Sequence, residues 1–81
     1  MKITLVYTAS VCTIYTECKK AVEYTKLGYS QFNLDPLHLS RDMRYVKRRV
    51  KAIGFNLKQN QLDCLAHSVR TNSPVCFELY S

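Results

Sequence analysis

Glycine and proline are scarce in this chain, two of each in 81 residues. That leaves no Gly-rich loop to cradle a phosphate, and none of the bias of low-complexity or disordered segments. No apolar run approaches the ~18 residues of a membrane span. Acidic residues are few, six against twelve Lys and Arg. They form no close carboxylate pair, and no Ser-His-Asp set accompanies the two His. The N-terminus lacks a targeting pattern: after Met1-Lys2, the run Ile3–Thr8 is too short for a signal sequence and has no small-residue cleavage site. A cytoplasmic protein is expected. Its four cysteines, Cys12, Cys18, Cys64 and Cys76, are then expected to be thiols, because disulfide frameworks belong to secreted chains. Cys64 and His67 are three apart, but one loose pair falls short of the two tight pairs of a structural zinc site, so no metal is expected.

What is present is the material of one folded domain, residues 1–81. Hydrophobic residues make up 47% of the chain, with six Tyr and three Phe. A chain of this length buries about 60–65% of its unfolded surface, so its stability is modest. The formal charge of +6 favours acidic or polyanionic partners without bearing on the fold.

The pattern predicts a strand over 2–8, with Ile3, Leu5 and Tyr7 on one face. Ile14, Cys18, Ala21, Val22 and Thr25 fall on one helical stripe, which predicts a helix over 13–27 closed by Gly28. A second strand follows over 29–34 and ends at Asp35-Pro36. Strand, helix and strand in ~30 residues make a βαβ unit with parallel strands. Ser40 suits the N-cap of a helix over 41–53, with Met43, Val46, Val50 and Ile53 inward and Gly54 as terminator. A short helix over 61–69 and a last strand over 75–80 complete the order β-α-β-α-α-β.

In this reading Cys12 stands at a strand-to-helix junction. A helix N-terminus stabilises a thiolate, the nucleophilic form of cysteine. Tyr7-Thr8, three residues and then Cys12 resembles the opening motif of the glutaredoxin family. Lys19-Lys20-Ala21-Val22-Glu23 with Gly28-Tyr29, Phe32-Asn33-Leu34-Asp35, and Thr71-Asn72-Ser73-Pro74-Val75-Cys76-Phe77 are similar to later segments of that family, in its short phage-type form. The resemblance implies a thioredoxin-like α/β domain with a three-stranded mixed sheet and flanking helices. It implies Cys12 as nucleophile in thiol–disulfide exchange, with glutathione as redox partner. It also implies a cis Pro74 beside Cys12, with Ser73, Pro74 and Tyr15 at the substrate. Tyr15 occupies the place of the family's second cysteine, so the exchange would be monothiol. Cys18, about 240° further round an ideal helix, is the candidate resolving thiol. The chain ends at Ser81, before the family's fourth strand and final helix, so the implied domain is C-terminally truncated.

A second constellation points to a different class of function. Between Arg41 and Lys51 six of eleven residues are basic, half of all the Lys and Arg in the chain. At ~100° per residue, Arg41, Arg44, Arg48 and Lys51 cluster within about 80°, opposite the apolar stripe. Such a face is either plainly solvated or a docking surface for an acidic protein patch or for nucleic-acid-bound machinery. No zinc finger, RNP motif or recognition-helix pattern surrounds it, so any nucleic-acid contact would be sequence-blind. The alternative to a redox protein is therefore a non-catalytic, phage-type binding protein that blocks a host enzyme or defence complex through this face. An exposed edge strand over 75–80 offers a route to a dimer.

Overall fold

The computed structural model describes residues 1–20 and 23–80. Strands β1 (Lys2–Thr8), β2 (Val11–Lys20) and β3 (Glu23–Asn33) come first. A 3-10 turn (Pro36–His38) leads into helix α1 (Leu39–Ile53), helix α2 (Gln59–Thr71) follows, and strand β4 (Val75–Tyr80) ends the described chain. Among the described residues the strands form one four-stranded sheet in the order β3-β2-β1-β4, antiparallel throughout.

This corrects the thioredoxin-like expectation of a three-stranded mixed sheet. Residues 13–20 and 23–27 are strand, where a helix was expected, and the strand that follows β1 pairs with it antiparallel. The cause is side-chain chemistry. Thr13, Ile14, Tyr15, Thr16, Tyr24 and Thr25 are β-branched or aromatic, types that fit a pleated surface and lose rotamer freedom in a helix. Cys12, Ile14 and Thr16 alternate with Thr13, Tyr15 and Glu17, and the period of two prevails over the coincidental helical spacing. Ala21 and Val22, part of the expected helical stripe, lie outside the described residues. The expected pairing of Val75–Tyr80 antiparallel to the first strand is found, with Leu5 opposite Phe77 and Ile3 opposite Leu79.

A two-residue turn makes the first hairpin. Thr8 pairs with Val11, and Ala9 and Ser10 between them have φ of 49° and 69°. Positive φ at both central positions is the geometry that matches the twist of a tight hairpin. Past the end of β1, β2 and β3 continue paired as a two-stranded arm, with Cys18 opposite Thr25 and Lys20 opposite Glu23.

One face of the sheet is covered. Ile3, Leu5 and Tyr7 of β1 and Cys12 and Ile14 of β2 are buried there with Val46 and Val50 of α1 and Leu62, Leu65 and Val69 of α2. Helix α1 lies over β3: Tyr45 meets Phe32 edge-on at 5.0 Å, and Arg49 Nη2 donates to Ser30 Oγ at 3.0 Å. Helix α2 packs on β1 and β4. The other face carries Thr4, Tyr15, Tyr29 and Gln31, and among the described residues no helix lies over it. Gly54 ends α1 in the left-handed conformation, as its sequence position implied. The start of α1 differs from the expectation, because His38 and not Ser40 is its N-cap. Asp35 Oδ1 accepts the Leu37 N–H at 2.9 Å and starts the 3-10 turn that runs into the helix. Among the described residues no helix is long and apolar enough to cross a membrane.

Candidate functional site

The residues of the expected thiol site are not brought together. Cys12 is on the sheet's covered face near the hairpin end of β2, opposite Tyr7 and Phe32, with no exposed surface. No helix starts there. Burial pushes the Cys12 thiol up from 9.0 to about 12, so it is a neutral, apolar group at physiological pH. Cys18 is six residues along the same strand, hence roughly 20 Å away at ~3.3 Å per residue. Disulfide geometry needs Cα atoms about 4.4–6.8 Å apart, so Cys18 cannot resolve a disulfide on Cys12. Tyr15 points from the opposite face of the sheet, its ring 6.0 Å from that of Tyr29. Ser73 and Pro74 are exposed between α2 and β4, with the Ser73 N–H bonded to the Ser68 carbonyl at 2.9 Å. The Ser73–Pro74 peptide is not cis. Strand β1 separates β4 from β2, which keeps Pro74 about two strand spacings, or ~10 Å, from the Cys12 strand.

The basic cluster, in contrast, is assembled. Val46 and Val50 are fully buried and fix which side of α1 meets the sheet. Arg41, Arg44, Arg48 and Lys51 are thereby turned to solvent, all exposed, and Lys47 is exposed beside them. Arg44, Lys47, Arg48 and Lys51 have no ion-pair partner among the described residues and line one shallow concavity of about 240 Å³. Arg41 is the exception: its Nε lies 3.5 Å from Oδ1 of Asp42. Asp42 is nearly buried, and its Oδ2 accepts the Asp35 N–H at 2.8 Å, which fastens the approach to α1 onto the helix.

Two further residues join the cluster that sequence spacing did not mark. Arg70, in the last turn of α2, and His38, at the entry to α1, share a second concavity of about 500 Å³ with Arg41 and Arg44. Only the packing of α2 beside α1 makes Arg70 a neighbour, and no periodicity within either helix signals it. Asp63 lines the groove between the helices with Arg44 and Lys47, and there Gln59 Nε2 donates to its Oδ1 at 2.9 Å.

The open face of the sheet has a different character. Lys2 Nζ stands between Glu78 at 3.4 Å and Glu17 at 3.8 Å, and lies 5.7 Å from the centre of the Tyr80 ring. Burial lowers the Lys2 pKa, but the carboxylates of Glu78 and Glu17 outweigh it and the value is raised. Glu78 is held below the usual carboxylate range by the Tyr80 hydroxyl, which donates to it at 2.6 Å, and by Lys2. Lys2 is therefore compensated on the sheet side, whereas Arg44, Lys47, Arg48 and Lys51 on α1 have no ion-pair partner among the described residues. No protein-family model, curated protein or solved structure matches this chain.

Proposed function

We propose that this chain is a non-catalytic binding domain that docks on a polyanionic macromolecule through the exposed basic face of α1. The observation that carries the reading is the set of four neighbouring cations, Arg44, Lys47, Arg48 and Lys51, held outward by a rigid helix with no ion-pair partner among the described residues. Uncompensated like charges on one face cost self-repulsion, and an anionic partner relieves it while steering encounter. Arginine adds bidentate hydrogen bonding to carboxylate or phosphate groups. Thiol–disulfide exchange at Cys12 receives no support from its position, since that chemistry needs an accessible thiolate.

The test compares two variants that lose the same amount of charge. One replaces Arg41, Arg44, Arg48 and Lys51 with Ser; the other replaces Lys19, Lys20, Lys26 and Lys58 with Ser. Binding of heparin, a linear polyanion, is measured by calorimetry across a salt series. Loss in the first variant and retention in the second support the reading. Equal losses would mean that net charge alone acts and would overturn it.

A further inference from the structure

We infer that the partner of this face is the phosphate backbone of a double-stranded nucleic acid, bound without regard to sequence along a track of cations that runs from Arg70 to Lys51. The inference rests on the binding reading above and names its partner. Arg44 is the pivot. It lines both the concavity shared with His38, Arg41 and Arg70 and the one shared with Lys47, Arg48 and Lys51, so the two form one continuous basic path. Along α1 the cations recur at intervals of three and four residues, about one helical turn each. From Arg41 to Lys51 the path rises about 15 Å at 1.5 Å per residue. One strand of a duplex presents a phosphate about every 3.4 Å of axis, so the path faces roughly four of them.

The lining discriminates between partners. A protein interface is centred on apolar or aromatic anchors with charge at the rim. Here one concavity is lined by Arg44, Lys47, Arg48 and Lys51 alone, no Tyr or Phe lines either, and the apolar side chains Pro36, Leu37 and Leu39 are confined to the far end of the track, beside His38. Tyr45, the aromatic residue of α1, is partly exposed, but its ring packs edge-on against Phe32 and lines neither concavity. Single-stranded nucleic acid is held by stacking its bases on aromatic rings. The exposed rings of Tyr29 and Tyr80 are on the uncovered face of the sheet, away from the track, and there Glu17 and Glu78 oppose a phosphate chain. A cation-lined surface without a base-reading element is what backbone-only duplex binding uses.

The experiment is fluorescence anisotropy with three labelled probes of matched charge: a random-sequence DNA duplex, its single strand, and a poly-glutamate peptide. Each is titrated with the wild type, with Arg70→Gln, and with the variant carrying Ser at 41, 44, 48 and 51. The expected result is duplex binding with Kd of about 10⁻⁴–10⁻⁶ M at physiological salt, in the non-specific range. Its log–log salt slope should be near −4, at about −0.9 for each phosphate neutralised. Arg70→Gln should make the slope shallower by about one, and the quadruple variant should lose binding. AT-rich and GC-rich duplexes should bind alike. If poly-glutamate or the single strand binds as tightly as the duplex, the duplex inference falls while the docking reading stands. If none of the probes depends on the α1 cations, both fall. Circular dichroism confirms folding of each variant, and single changes Arg44→Gln and Arg48→Gln give the same readout should the quadruple variant melt.

Discussion

Ala9 and Ser10 hold φ of 49° and 69°, a region in which residues with a Cβ are strained by roughly 1–2 kcal/mol. Glycine has no such penalty, so Ser10→Gly should raise stability by about 1 kcal/mol, read as a higher midpoint in urea. A lower midpoint would show that the Ser10 side chain has a use the turn geometry does not reveal. At Cys12 the account reverses the reactivity that its sequence position implied. Cys64 and Cys76 are exposed and Cys12 is fully buried. Limited alkylation with iodoacetamide at neutral pH should label the first two and spare Cys12. The raised Cys12 pKa also has a direction in stability. The neutral thiol is favoured by the fold, so its contribution is complete below pH 9.0 and is lost as pH rises toward about 12. The stability advantage of wild type over Cys12→Ala should shrink across that interval, and a constant difference would contradict the burial argument.

Helix α1 was legible in the sequence because three signals agreed: a 3.6-residue apolar period, Gly54 at its end, and cations on the face away from the stripe. Strand β4 was legible because Val75, Phe77 and Leu79 alternate after a proline. The segment from 13 to 27 carries two competing periods, because Ile14 and Cys18 fit a helical stripe while Cys12, Ile14 and Thr16 fit a strand face. β-Branched and aromatic content decides between the two periods in favour of the strand. The resemblance of Tyr7-Thr8 and Cys12 to a redox motif implies a helix after Cys12, but the hairpin turns two residues before Cys12 reaches its place in the sheet. Asp42 lies in the first turn of α1, where the helix dipole favours an acid. Its larger role is as a nearly buried acceptor for the Asp35 N–H. Asp42→Ala should therefore cost about 1–3 kcal/mol by leaving that donor unpaired. Asp42→Asn keeps an acceptor and frees Arg41 from its ion pair, so it should cost less stability and tighten polyanion binding. Equal destabilisation by both variants, in thermal melts, would place the importance of Asp42 in its charge.

Across the whole molecule the sheet divides two environments. One side is an open face where Lys2, Glu17, Glu78 and Tyr80 satisfy one another. The other carries two helices, and the outer surface of α1 is rich in cations, with Arg70 of α2 beside it. The arrangement makes the molecule an oriented charge, so that an anionic partner meets the helix side first. Loss of the exposed cations should leave the fold almost untouched, since exposed charges are each worth about 0–1 kcal/mol. The basic face itself was visible in the sequence as a count and an angle. Its extension to Arg70 and His38 was not, because it depends on how α2 lies beside α1. The most direct test of the docking account maps the bound surface by amide chemical shifts of the isotope-labelled protein as a random-sequence duplex is added. The account predicts shifts confined to α1, His38 and Arg70 that vanish at high salt. Shifts centred on Tyr15, Tyr29 and Tyr80, with α1 unmoved, would contradict it.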